Sequence, residues 1–93
     1  MKRLLLRSNS FIQAARRTVK KHPHIAKDIQ ATLELLSENA FNPLLKTHKL
    51  KGNLESTWAC SVSYELRIIF KFVEYKASEA ILLDTVGTHE EVY

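Results

Sequence analysis

Hydrophobic positions change their spacing about halfway along this chain, dividing it into a helical half and a sheet half. "KRLLL", residues 2–6, is a short apolar run flanked by charge and predicts an opening strand. Ser8, Asn9 or Ser10 can then cap a helix by accepting a backbone N–H. Phe11, Ala14, Ala15, Thr18 and Val19 recur at the spacing of one buried stripe, with Arg16, Arg17, Lys20 and Lys21 largely outside it. "KHPH" interrupts that pattern. Pro23 lacks an N–H and disfavours helical geometry in the residue before it, yet suits the first turn of a new helix. Ile25, Ile29, Leu33 and Leu36 define the second stripe, which ends near Asn39. Two helices joined by a tight turn form an antiparallel hairpin.

After "NAFNP" the period shortens. "TWACSV" and "LRIIFKFV" are rich in β-branched and aromatic residues, and predict two strands joined around "SYE". In the second, Leu66, Ile68, Phe70 and Phe72 face one way and Arg67, Ile69, Lys71 and Val73 the other. A polar break, "EYKASE", precedes a third strand, "AILLDTVG", and "THKLKG" predicts a further short edge strand guarded by lysines. The order predicts an α+β fold over a single domain, residues 1–93. An N-terminal strand and an α-helical hairpin pack on one face of an antiparallel sheet of three to four strands, leaving the other face open. That open face, with Arg67, Ile69, Lys71 and Val73, is mixed in a way that suits binding.

Composition supports a globular fold: 45% of the 93 residues are hydrophobic and 26% charged, with two glycines and two prolines. A single cysteine, Cys60, excludes an internal disulfide, and no Cys/His spacing suggests zinc, so a reducing cytoplasm and no metal or other cofactor are expected. The three-leucine run of "MKRLLLRS" is too short for a signal-peptide core or a membrane span. The net charge of +4 is unevenly spread, because residues 1–27 hold eight lysines and arginines and no acid. A second cluster, Lys46, Lys49 and Lys51, surrounds His48. Such clusters suit phosphate contacts, with solvated surface as the plain alternative.

The arrangement, together with "HKLKG", "SYELRIIFKF" and "TVGTHEEVY", resembles the RelE/ParE superfamily of bacterial type II toxins, in the branch typified by RelE, YafQ and YoeB. The resemblance covers nearly the whole chain. It implies a toxin that cuts mRNA in the ribosomal A site, in contact with ribosomal RNA, and is neutralised by a cognate antitoxin in a hetero-oligomeric complex. The antitoxin is expected along the basic helix and the open sheet face.

Metal-free RNA cleavage requires a base for the 2′-OH, stabilisation of a phosphorane, and an acid for the departing 5′-oxygen. Histidine serves either proton transfer near neutral pH, and arginine offers a fixed cationic fork to phosphate. His48, among lysines whose charge favours its neutral, proton-accepting form, is the expected general base; the plain alternative is a surface histidine. By the resemblance, His89 matches the histidine of the family's ending and is the expected acid, the two roles being exchangeable. Arg67 matches the strand arginine at the scissile phosphate; otherwise it pairs with Glu65 or Asp84. Glu65 is either a turn charge or a group that orients a histidine. Tyr93 matches a terminal aromatic that stacks on a base, or it frays. Lys46, Lys49, Lys51, Lys71, Arg16 and Arg17 are candidate phosphate contacts. Where the YafQ pattern has an acid and a histidine, this chain has Ala59 and Ser61. The competing functions are a ParE-like inhibitor of DNA gyrase without nuclease chemistry, and a degenerate toxin retained as a binding partner.

Overall fold

The computed structural model describes residues 2–52 and 56–92. Strand β1, Leu4–Arg7, leads into helix α1, Asn9–Lys21. Ser8 is the cap: its Oγ accepts the Phe11 N–H at 3.1 Å. The chain turns at His22–His24, and α2 runs Ile25–Glu38 with Asn39 closing it. Pro23 therefore lies in the connecting turn, ahead of the second helix rather than in its first turn. A short 3-10 turn, Pro43–Leu45, is capped by the Asn42 side chain, which accepts the Leu44 N–H at 2.9 Å.

Four strands follow: β2 His48–Lys49, β3 Trp58–Ser61, β4 Leu66–Tyr75 and β5 Ser78–Thr88. They form one sheet in the order β1-β5-β4-β3-β2. β2 through β5 pair antiparallel, giving the expected four-stranded meander. β1 adds a fifth strand, parallel to β5, with Leu4 opposite Ala80 and Arg7 opposite Leu83. Its exposed outer side agrees with Leu4 being 55% exposed. The chain ends the described region in a single helical turn, α3, His89–Val92.

The helices cover one sheet face. Phe11 and Ala14 from α1, and Ile25, Ile29, Leu33 and Leu36 from α2, meet Cys60, Leu66, Ile68, Phe70, Ile81, Leu83 and Val86. Phe70, Ile68, Ile81, Leu83 and Leu36 are fully enclosed. Each such side chain contributes about 1.5–3 kcal/mol relative to exposure, so this interface is the main source of stability. Cys60 and Trp58 fall on this face as their alternation predicts, Trp58 sharing an edge-to-face cluster with Phe41 and Phe72.

Two features differ from expectation. "EYKASE" is no break: β4 and β5 remain paired out to Tyr75 and Ser78, and only Lys76 and Ala77 turn the chain, both with positive φ. This is the left-handed two-residue geometry that matches strand twist, built without glycine or asparagine. Second, the register slips between Ile69 and Phe70, which pair with Thr85 and Leu83, so Asp84 is bulged out of the ladder. Its carbonyl accepts from the Ser8 and Ser10 hydroxyls at 3.2 and 2.8 Å. The α1 cap thereby ties the helix to the bulge.

The face away from the helices is only partly open. Ile69 and Ala59 are buried there, and Lys71 Nζ lies 3.8 Å from Asp84 Oδ2.

Candidate active site

Strand register places His48 beside Ala59 and Ile69, and Arg67 beside Ser61 and Gly87. These two rows are two residues apart, so His48, Ala59, Ser61 and Arg67 share the face opposite the helices. Two strand spacings and two residues of rise put the His48 and Arg67 Cα atoms about 12 Å apart. Ala59 and Ser61 stand between them.

Arg67 is turned toward the β3–β4 turn rather than paired with Glu65 or Asp84. Its Nη1 donates to the carbonyls of Ser63, Tyr64 and Leu66 at 2.8, 3.0 and 3.1 Å. The guanidinium thus braces the turn while its side chain remains half-exposed.

The tail returns to the same turn. The His89 N–H donates to the Glu65 carbonyl at 3.1 Å, which joins the start of α3 to the residue preceding β4. Glu65, Arg67 and His89 consequently line one pocket with Tyr64, Thr88 and Glu90. An arginine, a histidine and two glutamates meet there. What places His89 is a reciprocal cap: Thr88 N–H donates to Glu91 Oε1 at 2.8 Å, and Glu91 N–H donates to Thr88 Oγ1 at 3.3 Å. The Thr88 backbone N–H first, then its side chain, hold the Glu91 carboxyl below the usual carboxylate range, with Lys21 and Arg17 adding a smaller pull. Arg17 and Lys21 of α1, with His22 just beyond it, share a second pocket with Thr88, Glu91 and Val92, next to the first. Gly87 permits the fold-back, since a Cβ there would stand 3.0 Å from Glu91 Oε1 and 3.1 Å from Val92 Cγ1.

His48 is exposed on the edge strand, and its Nδ1 lies 3.0 Å from the Lys46 carbonyl. A carbonyl only accepts, so Nδ1 carries the proton of that bond; in the neutral ring the basic nitrogen is then Nε2. Lys46 adopts the left-handed conformation that closes the 3-10 turn and brings its carbonyl near His48.

Arg67, His89 and Glu65 are therefore brought together, and His48 lies on their face but outside their pocket. Lys46, Lys49 and Lys51 are exposed around His48, Lys49 opposite Trp58 and so directed to the helix side of the sheet edge. Arg16 and Arg17 are exposed on α1; Lys71 is half-buried beside Asp84. Tyr93 lies outside the described residues. Burial pushes the Cys60 thiol up to about 12, outweighing a hydrogen bond from Ile68 and the nearby Arg67 charge. It is a core residue, not a nucleophile. Sequence reasoning overlooked Thr88 and Glu91, although "THEE" carries the T-x-x-E spacing of a capping box, and overlooked Tyr64 and Gly87, which only the fold-back brings to the site.

Over residues 4–93 the chain matches the family model described as the bacterial toxin of type II toxin-antitoxin system, YafQ. Among solved structures it is similar to the toxin in the E. coli DinJ-YafQ complex, with a TM-score of 0.79, 18% identity and 99% of each chain covered. A second E. coli DinJ-YafQ toxin-antitoxin complex gives 0.78 and 17%, covering 100% of this chain and 99% of the other. The YoeB/ParE toxin from Agrobacterium tumefaciens gives 0.76 and 15%, covering 92% of this chain and 98% of that one. At these identities the structural likeness establishes the fold. No curated protein sequence matches the chain.

Proposed function

Because the chain belongs to the YafQ family of bacterial type II toxin-antitoxin toxins, we propose that it is a ribosome-dependent endonuclease that cuts mRNA in the ribosomal A site. The observation that carries this reading is the pocket in which Arg67 and His89 meet beside the Glu65 tie. A fixed cation next to a titratable group is what phosphoryl chemistry without a metal requires.

In this reaction His48 Nε2 takes the proton of the 2′-OH as that oxygen attacks the adjacent phosphorus. Arg67 stabilises the additional negative charge of the phosphorane. His89 gives a proton to the 5′-oxygen as the P–O5′ bond breaks, leaving a 2′,3′-cyclic phosphate and a 5′-hydroxyl. Exchanging the two histidines gives the same products; the Nδ1 bond to the Lys46 carbonyl favours His48 as the base. The scissile phosphate lies at the Arg67 end of the sheet face, in the pocket with His89, and the 2′-OH side of the nucleotide extends toward His48. Glu65 acts through its carbonyl, which fixes the backbone of His89. Lys46, Lys49, Lys51, Lys71, Arg16 and Arg17 contact phosphates of mRNA or ribosomal RNA, and Tyr93 stacks on a base.

A cognate antitoxin is the protein partner. The E. coli relatives were solved as DinJ-YafQ complexes, and the basic outer side of α1, with Arg16, Arg17, Lys20 and Lys21 all exposed, suits an acidic segment.

Translation in vitro with the purified protein tests the function. Primer-extension stops inside the message are expected. Intact message together with gyrase-dependent DNA breaks would assign the chain to the ParE-like class instead.

A further inference from the structure

Tyr64, in the turn between β3 and β4, is 91% exposed, the barest large hydrophobic side chain among the described residues. A singly exposed aromatic needs no explanation by itself. Tyr64 differs in being mounted on a braced turn inside the candidate site. Its carbonyl accepts from Arg67 Nη1 at 3.0 Å, and the same nitrogen holds the Ser63 and Leu66 carbonyls. The Val62 N–H donates to the Leu66 carbonyl at 2.9 Å, and the Leu66 N–H to Ser63 Oγ at 3.3 Å, closing the turn from the other side. The residue that presents the bare ring is thus fixed to the arginine assigned to the phosphate.

The pocket is chemically divided. Arg67 and His89 suit an anion, whereas the Glu65 and Glu90 carboxylates beside Tyr64 repel one. Carboxylates do accept hydrogen bonds from the amino and imino groups of nucleobases, and a phenol ring offers a face to stack against.

Building on the nuclease reading above, we infer that Tyr64 is a stacking platform for an unpaired mRNA base next to the scissile phosphate, with Glu65 and Glu90 as acceptors for that base's edge. The tyrosine then influences which messages are cut, and the arginine whether they are cut.

The test compares wild-type protein with Tyr64→Ala and Tyr64→Phe on programmed ribosomes carrying an mRNA with varied codons, mapping every cleavage end. Since the ring is exposed, both variants should melt with the wild type. Tyr64→Ala is expected to lower kcat/KM by roughly 5- to 150-fold, the usual worth of one base–aromatic stack, and to change the distribution of cut sites. Tyr64→Phe, which keeps the ring face, should restore the wild-type distribution. Unchanged sites and rate in Tyr64→Ala would overturn the inference while leaving the nuclease reading intact. So would an equal loss at every site with no change in their distribution, since that points to ribosome docking. A wild-type protein that cuts no message overturns both.

Discussion

At Gly87 the missing side chain lets Glu91 and Val92 fold back to 3.0 and 3.1 Å from where a Cβ would stand. Gly87→Ala forces those neighbours outward by a few tenths of an ångström, and with them the helical turn that carries His89. Activity is expected to fall by about tenfold while the melting temperature barely changes, because misplacement of a reacting group costs rate before it costs fold. Steady-state kinetics beside thermal melting separate the two effects. The Glu91 latch has a pH signature. Its folded carboxyl titrates below the unfolded one, so its contribution is fully present above the ordinary carboxylate value and is lost as pH falls through the lower, folded value. The Thr88 amide resonance should therefore show a transition at acid pH, and that transition should vanish in Glu91→Gln. An acid transition that persists in Glu91→Gln would contradict the latch. The Gly87 contact was not visible in the run of residues alone, because it forms only once the tail turns back on the sheet, whereas the Thr88–Glu91 cap is local and its T-x-x-E spacing was there to be read.

The β4–β5 hairpin is the element in which sequence and structure part most. Period-two alternation marked both strands, but the polar run between them concealed the last two pairs, Glu74 with Glu79 and Tyr75 with Ser78, which close on a two-residue turn. Turn composition was the misleading signal: left-handed geometry normally calls for glycine or asparagine, and here Lys76 and Ala77 adopt it at φ 51° and 63°. That conformation costs a residue with a Cβ about 1–2 kcal/mol. Ala77→Gly is thus expected to stabilise the protein by about 1 kcal/mol, read as a higher urea midpoint at unchanged slope; a lower midpoint would show that the turn is not strained. The helices were legible because their stripes are regular and Ser8 caps the first. α3 was not, since four residues carry no periodicity. Deleting residues 89–93 removes that turn with His89 and should abolish RNA cleavage while leaving the helix-covered core folded. Unfolding of the truncated chain would make the tail structural.

Across the whole molecule, one sheet separates two tasks. Its helix-covered face holds the core, and its other face carries His48 one row away from the paired Ser61 and Arg67, with His89 brought to the Arg67 end by the tail. Alternation made that division readable: Leu66, Ile68 and Phe70 entered the core while Arg67 stayed out. The approach of His89 to Arg67 was suggested only by the family resemblance, because residues 22 positions apart in sequence meet through strand pairing that no local pattern specifies. The parallel docking of β1 against β5 was equally hidden, being a contact between the two ends of the chain. If the pocket at the sheet's end is the cutting centre, Arg67 and His89 should each be indispensable. The direct measurement is to map mRNA ends made on ribosomes by wild type, Arg67→Ala and His89→Ala, each verified as folded by its melting curve. Cleavage by the wild type and a loss of about 100-fold or more in each variant is the predicted result. Undiminished cleavage and toxicity in both variants would place the chemistry elsewhere.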